Sequence, residues 1–222
     1  MPAAMDTARS FSDVEWSLLR TVADGLEWSY SWQPAAAQRL RFVLDFSYAT
    51  GLRASELVQA TLGAIEIDRE ERWLHVVGMG ARTGRVTLPP LARTALDRYL
   101  AQRRLPTTPS RWDQATPLLA SLEHDHAGGV TSARLWAVLK RFFSHAADIV
   151  QEQSSATAEK LRRASPHWMR HTHATHALQG GAELTTVRDN LRHASLATTS
   201  IYLHSDDSKR SRQMATVFAN RS

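Results

Sequence analysis

Apolar residues recur at three- and four-residue spacing along most of the chain, a period that predicts helices. Val14, Leu18, Leu19 and Val22 form the first such stripe. Ser12 and Glu15 stand before it in capping-box register and Gly25 follows it, so a helix is predicted over 13–24. After an aromatic linker, WSYSWQP, the run AAAQRLRFVLDFSYAT places Leu40, Val43, Leu44 and Tyr48 on one stripe and stops at Gly51, a suitable C-terminal cap. Arg53 therefore lies just beyond a helix end, and RASELV begins another short helix.

Between 64 and 88 the period changes. AIEID, WLHVV and RVTLP are short β-type runs separated by DREE and GMGARTG, which predicts a small three-stranded antiparallel sheet. Pro89 and Pro90 open a helix with Leu91, Ala95, Leu96, Tyr99 and Leu100 on one face. Residues 103–129 read as a long loop around the apolar patch PLLASL. A helix over 131–148 follows, with Leu135, Val138, Leu139, Phe142 and Ala146 as its buried stripe. The polar stretch 151–163 reads as a surface excursion or an exposed helix. Ser165 and Pro166 then start a helix that ends at Gly180 and Gly181. Short helices near 183–190 and 195–201 and a last one near 208–219 complete a mostly α chain with one small antiparallel β-sheet, an α+β fold.

Composition narrows the partners. The 222 residues carry 27 lysines and arginines against 22 acids, a net charge of +5, and the pI of about 10.1 favours an anionic partner such as nucleic acid. Only Lys140, Lys160 and Lys209 are lysines. Cysteine is absent, which excludes disulfides, thiolate metal sites and thiol nucleophiles. The start MPAAMDTARS lacks a basic segment followed by an apolar one, and no run of about 18 apolar residues occurs, so neither signal peptide nor membrane span is expected. A cytoplasmic location fits.

The chemistry concentrates late in the chain. His167 and Arg170, three apart, project from one face of the same helical turn. The arginine supplies a planar charged fork for two phosphate oxygens, and the histidine can exchange a proton near neutral pH. In LRHASLATTSIYLH, His193 precedes Tyr202 by nine residues. The stretch from His167 to Tyr202 resembles the second box of the tyrosine recombinases, the phage-integrase family, with its H-x-x-R-H-T, Gly-containing turn, L-G-H and T-x-x-Y. ATGLRASEL at 49–57 resembles the first box and nominates Arg53, with Glu56 placed to orient it. The resemblance covers roughly residues 11–218.

That resemblance implies a catalytic domain over 11–222 with the family's breaking-and-rejoining fold, preceded by a disordered 1–10. It further implies that the family's N-terminal DNA-clamping domain is absent from this stretch, and that the tail 206–222 is exchanged between protomers. The partner would be double-stranded DNA, bound as a homo-tetramer, with a monomer expected without DNA and a nucleoid-associated location. Tyr202 would attack a backbone phosphate, form a 3′-phosphotyrosine and release a 5′-hydroxyl, whose return rejoins the strand without cofactor, metal or ATP. Arg53, Arg170 and His193 would stabilise the phosphorane charge, and His167 would accept or assist the tyrosine proton.

Two departures qualify the resemblance. The family carries a lysine between its second and third strands, in a pattern like G-K-G-x-K-x-R, which protonates the leaving 5′-oxygen. Here the turn reads GMGARTGR, so Met79 holds that position and Arg82 and Arg85 are the nearest cations. Arginine stabilises charge but is a poor proton donor, and cleavage slowed by about 10²–10⁴-fold is the consequence unless another group substitutes. Arg192 stands where the family has glycine, adding a cation near the phosphate that is either compensatory or merely exposed. Three readings stay open beside recombination: a non-catalytic DNA-binding descendant, a type IB topoisomerase, and a metallohydrolase using His171, His173 and His176 or His124 and His126. Trp28, Trp32 and Trp168 are candidates for base stacking, with core packing as the plainer role.

Overall fold

The computed structural model describes residues 9–77, 83–122, 128–193 and 199. Helix α1 (Asp13–Asp24) begins as its capping box requires: Ser12 Oγ accepts the Glu15 amide at 3.2 Å, and the Glu15 carboxylate accepts the Ser12 amide at 2.7 Å. The aromatic linker is not extended throughout, because Leu26–Tyr30 forms a short helix, α2, anchored by the fully buried Leu26. Helix α3 (Pro34–Thr50) starts on Pro34 and ends at Gly51, whose φ of 66° is the left-handed cap that glycine adopts without strain.

Helix α3 is the central helix rather than a one-stripe surface helix. Arg39, Leu40, Phe42, Val43, Leu44, Asp45 and Phe46 are all buried, with α1, α5 (Pro90–Gln102) and α8 (Pro166–Gln179) packed around it. Phe42 stacks on Tyr99 of α5 at 4.4 Å. The buried Asp45 is matched by Arg20 of α1, and Arg39 donates to the Ala120 carbonyl. A sequence stripe finds only the apolar part of such a helix, since these polar groups are buried with partners.

Helix α4 (Ala54–Gln59) follows, and then the sheet in order β1 (Ile65–Asp68), β2 (Glu71–Val77) and β3 (Thr83–Thr87), antiparallel throughout. One face is inward: Leu74, Val76 and Val86 are buried, and Gly84 opposes Val76 on that side. The loop after α5 is irregular, as expected, yet its Leu118, Leu119 and Ala120 are buried, and the Leu118 amide donates to the Ala60 carbonyl at 2.8 Å.

Helix α6 (Ser132–Val150) buries Leu135, Leu139, Phe142 and Ala146 of the predicted stripe, with Val138 partly buried at its edge. The polar stretch after it resolves into helix α7 (Ser155–Arg163), capped by Ser154 and laying Ala158 and Leu161 against α6. Helix α9 (Leu184–Leu191) closes the described succession. The helices expected near 195–201 and 208–219, and the tail 206–222, fall outside the described residues apart from Thr199. Arg9 and Ser10, placed by sequence in a disordered N-terminus, are part of the described structure. Among the described residues no helix is long and apolar enough to cross a membrane.

Candidate active site

Three helix ends meet at the Arg53 side of the molecule: the end of α3, the first turns of α8 and the end of α9. Arg170 joins them. Its side chain is 1% exposed; Nη1 donates to the Gly51 carbonyl at 2.7 Å, and Nη2 donates to the Leu191 carbonyl. A buried guanidinium on two helix-terminal carbonyls meets acceptors left without helical partners, and it fixes α3 and α9 to α8.

Glu56 is the second joint. Its side chain, 1% exposed, accepts the Arg53 amide at 2.8 Å, Arg53 Nη1 at 2.9 Å and Arg192 Nη2 at 2.5 Å. Burial pushes this carboxyl up, and the hydrogen bonds from Arg53 and Arg192 outweigh it and hold the group below the ordinary carboxylate range. Arg53 keeps 37% of its side chain exposed, so it is presented to solvent while Glu56 fixes its stem.

The histidines fall into two groups. His167 and His193 lie within the field of the arginines. Burial lowers the His167 pKa, and Arg170, Arg53 and Arg9 lower it further. Burial likewise lowers His193 to about 4, aided by Arg170, Arg53, Arg192 and His167. His193 Nδ1 meets Thr199 Oγ1 at 2.9 Å. His171 packs edge-on against the His167 ring at 4.4 Å and is also lowered to about 4. Both catalytic candidates are therefore neutral imidazoles at pH 7, embedded in positive potential.

His173 and His176 are architectural. His173 Nδ1 donates to the Tyr48 carbonyl at 2.7 Å, which leaves Nε2 to accept from Asn190 Nδ2 at 3.2 Å. His176 meets the Tyr48 hydroxyl at 3.0 Å and the Phe11 carbonyl at 2.9 Å. The Phe11 amide donates to Thr172 Oγ1 at 2.9 Å, so both backbone groups of Phe11 are held by α8. Trp168 is buried against Phe11, centroid to centroid 5.4 Å, and serves packing rather than base stacking. Among the described residues no group of three or more histidine or carboxylate side chains is disposed to hold a metal.

The structure thus brings Arg53, Glu56, His167, Arg170, Arg192 and His193 together from positions up to 140 residues apart. Tyr202, Met79, Arg82, His124 and His126 lie outside the described residues. Arg85 is described and points elsewhere: its guanidinium covers Trp73 at 4.3 Å on the outer face of the sheet, opposite to Gly84. Sequence reasoning does not find Asn190, which donates to the Thr50 carbonyl and accepts the Thr87 amide, linking α3, α9 and β3. No spacing signal marks it, because its partners, two backbone groups and the His173 ring, come from segments that only the fold brings together.

A mostly helical domain with a three-stranded sheet and an arginine–histidine pocket of this kind defines a tyrosine recombinase catalytic domain. The chain belongs to the Phage integrase family, whose signature matches residues 28–209. It is 34% identical to the tyrosine recombinase XerC of Corynebacterium efficiens over 163 residues, 73% of this chain and 45% of that protein. It is 32% identical to XerD of Caulobacter vibrioides over 170 residues, 77% of this chain and 50% of that one. The chain spans about half the length of these curated relatives. Among solved structures, the XerH recombinase in a pre-cleavage complex with difH superposes with TM-score 0.66 at 21% identity, covering 93% of this chain and 53% of that one. The Tn1549 transposon integrase with transposon right end DNA gives 0.69 at 15% identity, covering 99% and 69%.

Proposed function

We propose that this chain cleaves and rejoins double-stranded DNA at a specific site, with Tyr202 as nucleophile and Arg53, His167, Arg170 and His193 as the phosphate pocket. The observation that carries the reading is the convergence of those four side chains, two cations and two imidazoles, from three separate helix ends. The relatives it matches are named recombinases, and the XerH and Tn1549 structures hold DNA.

Tyr202 Oη forms a bond to phosphorus as the bond to the 5′-oxygen breaks; the phenol proton leaves the tyrosine and the departing alkoxide takes one up. The phosphoester count is unchanged, so the strand rejoins when the 5′-hydroxyl returns. A phosphodiester enters with one negative charge, and the pentavalent transition state gathers more on its non-bridging oxygens. Preorganised cations there stabilise it by about 3–4 kcal/mol per donor. Neutral His167 has a lone pair for the tyrosine proton. Arg170 acts first as the clasp that sets Arg53 and His193 in place. A tetramer on DNA, a monomer without it and a nucleoid-associated location belong to the same proposal.

The test is a duplex with a nick just beyond the cleavage position, so that the cut fragment diffuses away and the protein–DNA adduct survives denaturing electrophoresis. The expected result is an adduct with the natural chain and none with Tyr202→Phe. DNA binding without any adduct overturns the catalytic reading and leaves a DNA-binding descendant, the outcome that Met79 at the lysine position would explain.

A further inference from the structure

Arg192 departs from the family's glycine, and the structure shows what the departure does. The residue caps α9 at φ 56°, a left-handed conformation that disfavours a side chain. Its side chain is only 16% exposed and fully engaged: Nη1 donates to the Asn190 carbonyl at 2.8 Å, and Nη2 to Glu56 at 2.5 Å. Between backbone and guanidinium it lies across β3 at Gly84, where a Cβ would stand 2.6 Å from Arg192 Cδ. Only glycine at 84 leaves that path open.

We propose that Arg192 is a positioning residue for strand cleavage: threaded over Gly84 and paired with Glu56, it fixes β3 and the Glu56 carboxylate that holds Arg53. Two guanidiniums on one buried carboxylate leave Arg53 a single orientation toward the phosphate. Displacing Arg192 leaves Glu56 held by Arg53 alone and removes the tie from that carboxylate to α9 and β3, and misplacement of a charge-stabilising group by about 1 Å is enough to slow chemistry by about 10²-fold. The inference rests on the proposed recombinase activity.

Its test is a cycle of Arg192→Gly, Gly84→Ala and the double variant, each scored for DNA affinity on the intact duplex and for the single-turnover rate of adduct formation on the nicked one. Arg192→Gly places glycine at φ 56°, where it is unstrained, which offsets part of the lost ion pair, and circular dichroism checks that the variant is folded. Expected is adduct formation slowed by about 10–100-fold with affinity unchanged within about threefold. Gly84→Ala, which displaces an intact Arg192, should reproduce that loss, and adding it to Arg192→Gly should cost nothing more. Arg192→Lys, with the charge but not the two-point fork, should recover part of the rate. A natural rate in Arg192→Gly, or losses that multiply in the double variant, would overturn the positioning role while the recombinase reading stands. Absence of adduct from the natural chain would overturn both.

Discussion

Replacing Glu56 by glutamine keeps the shape of the side chain and removes the one charge that two guanidiniums share. The carboxylate is 1% exposed and accepts from Arg53 twice and from Arg192 once. Breaking a buried pair by deleting one partner costs about 3–5 kcal/mol, because the remaining charge loses its compensation. Arg53 is partly solvated, which favours the lower end of that range. In a chain of this size the loss corresponds to about 6–20 °C in melting temperature.

The same carboxyl gives the effect a pH signature. Its folded pKa lies below the unfolded reference of 4.5, so its contribution is complete above that value and is lost as pH falls through the folded pKa. Thermal melts followed by circular dichroism at pH 7 should show the full gap between natural chain and Glu56→Gln. The gap should stay constant down to about pH 5 and narrow at lower pH, as the natural carboxyl takes up a proton. A gap at pH 7 below about 1 kcal/mol, or one that widens in acid, would refute the claim that Glu56 is the charged joint between Arg53 and Arg192.

Two further outcomes follow from the geometry. Gly51→Ala adds a Cβ 2.6 Å from His173 Cδ2 and 2.7 Å from a Leu191 methyl at φ 66°, so strain and overpacking together should remove about 2–4 kcal/mol in urea unfolding; a change within about 0.5 kcal/mol would show that the helix junction yields. His171, His173 and His193, each held near 4 chiefly by burial, should show no titration between pH 8 and 5.5 in imidazole carbon–proton spectra. Because their folded pKa values lie below the unfolded 6.5, the unfolded chain binds more protons from about pH 6.5 down to 4, and stability should fall with pH across that window. Midpoints near 6.5 for any of the three would contradict the buried, arginine-flanked environment.

Much of the architecture was legible because local rules act over a few residues. The capping box at Ser12, the glycine at 51, the proline starts at 90 and 166 and the alternation of β2 all declare themselves in sequence. The readings that changed concern what surrounds an element. WSYSWQP begins inside a short helix because Leu26, just before it, finds a core to enter, and α3 is buried almost all round because Arg20 and the Ala120 carbonyl meet its polar residues. Sequence could not choose between loop and helix at 151–163, since Ala158 and Leu161 become a packing face only once α6 is beside them.

The candidate pocket divides the same way. The resemblance of two sequence boxes to the tyrosine recombinases nominated Arg53, Glu56, His167, Arg170, Arg192 and His193, because motif order is carried by the chain itself. What each one holds was decided by the fold. Arg170 turned out to clasp the Gly51 and Leu191 carbonyls, Arg192 to thread over Gly84, Arg85 to lie on the outer face of the sheet, and Asn190 to join three elements unannounced. Motif order is written in the covalent chain, whereas hydrogen bonds to backbone carbonyls and close approaches at glycine depend on distances between segments that only folding brings together.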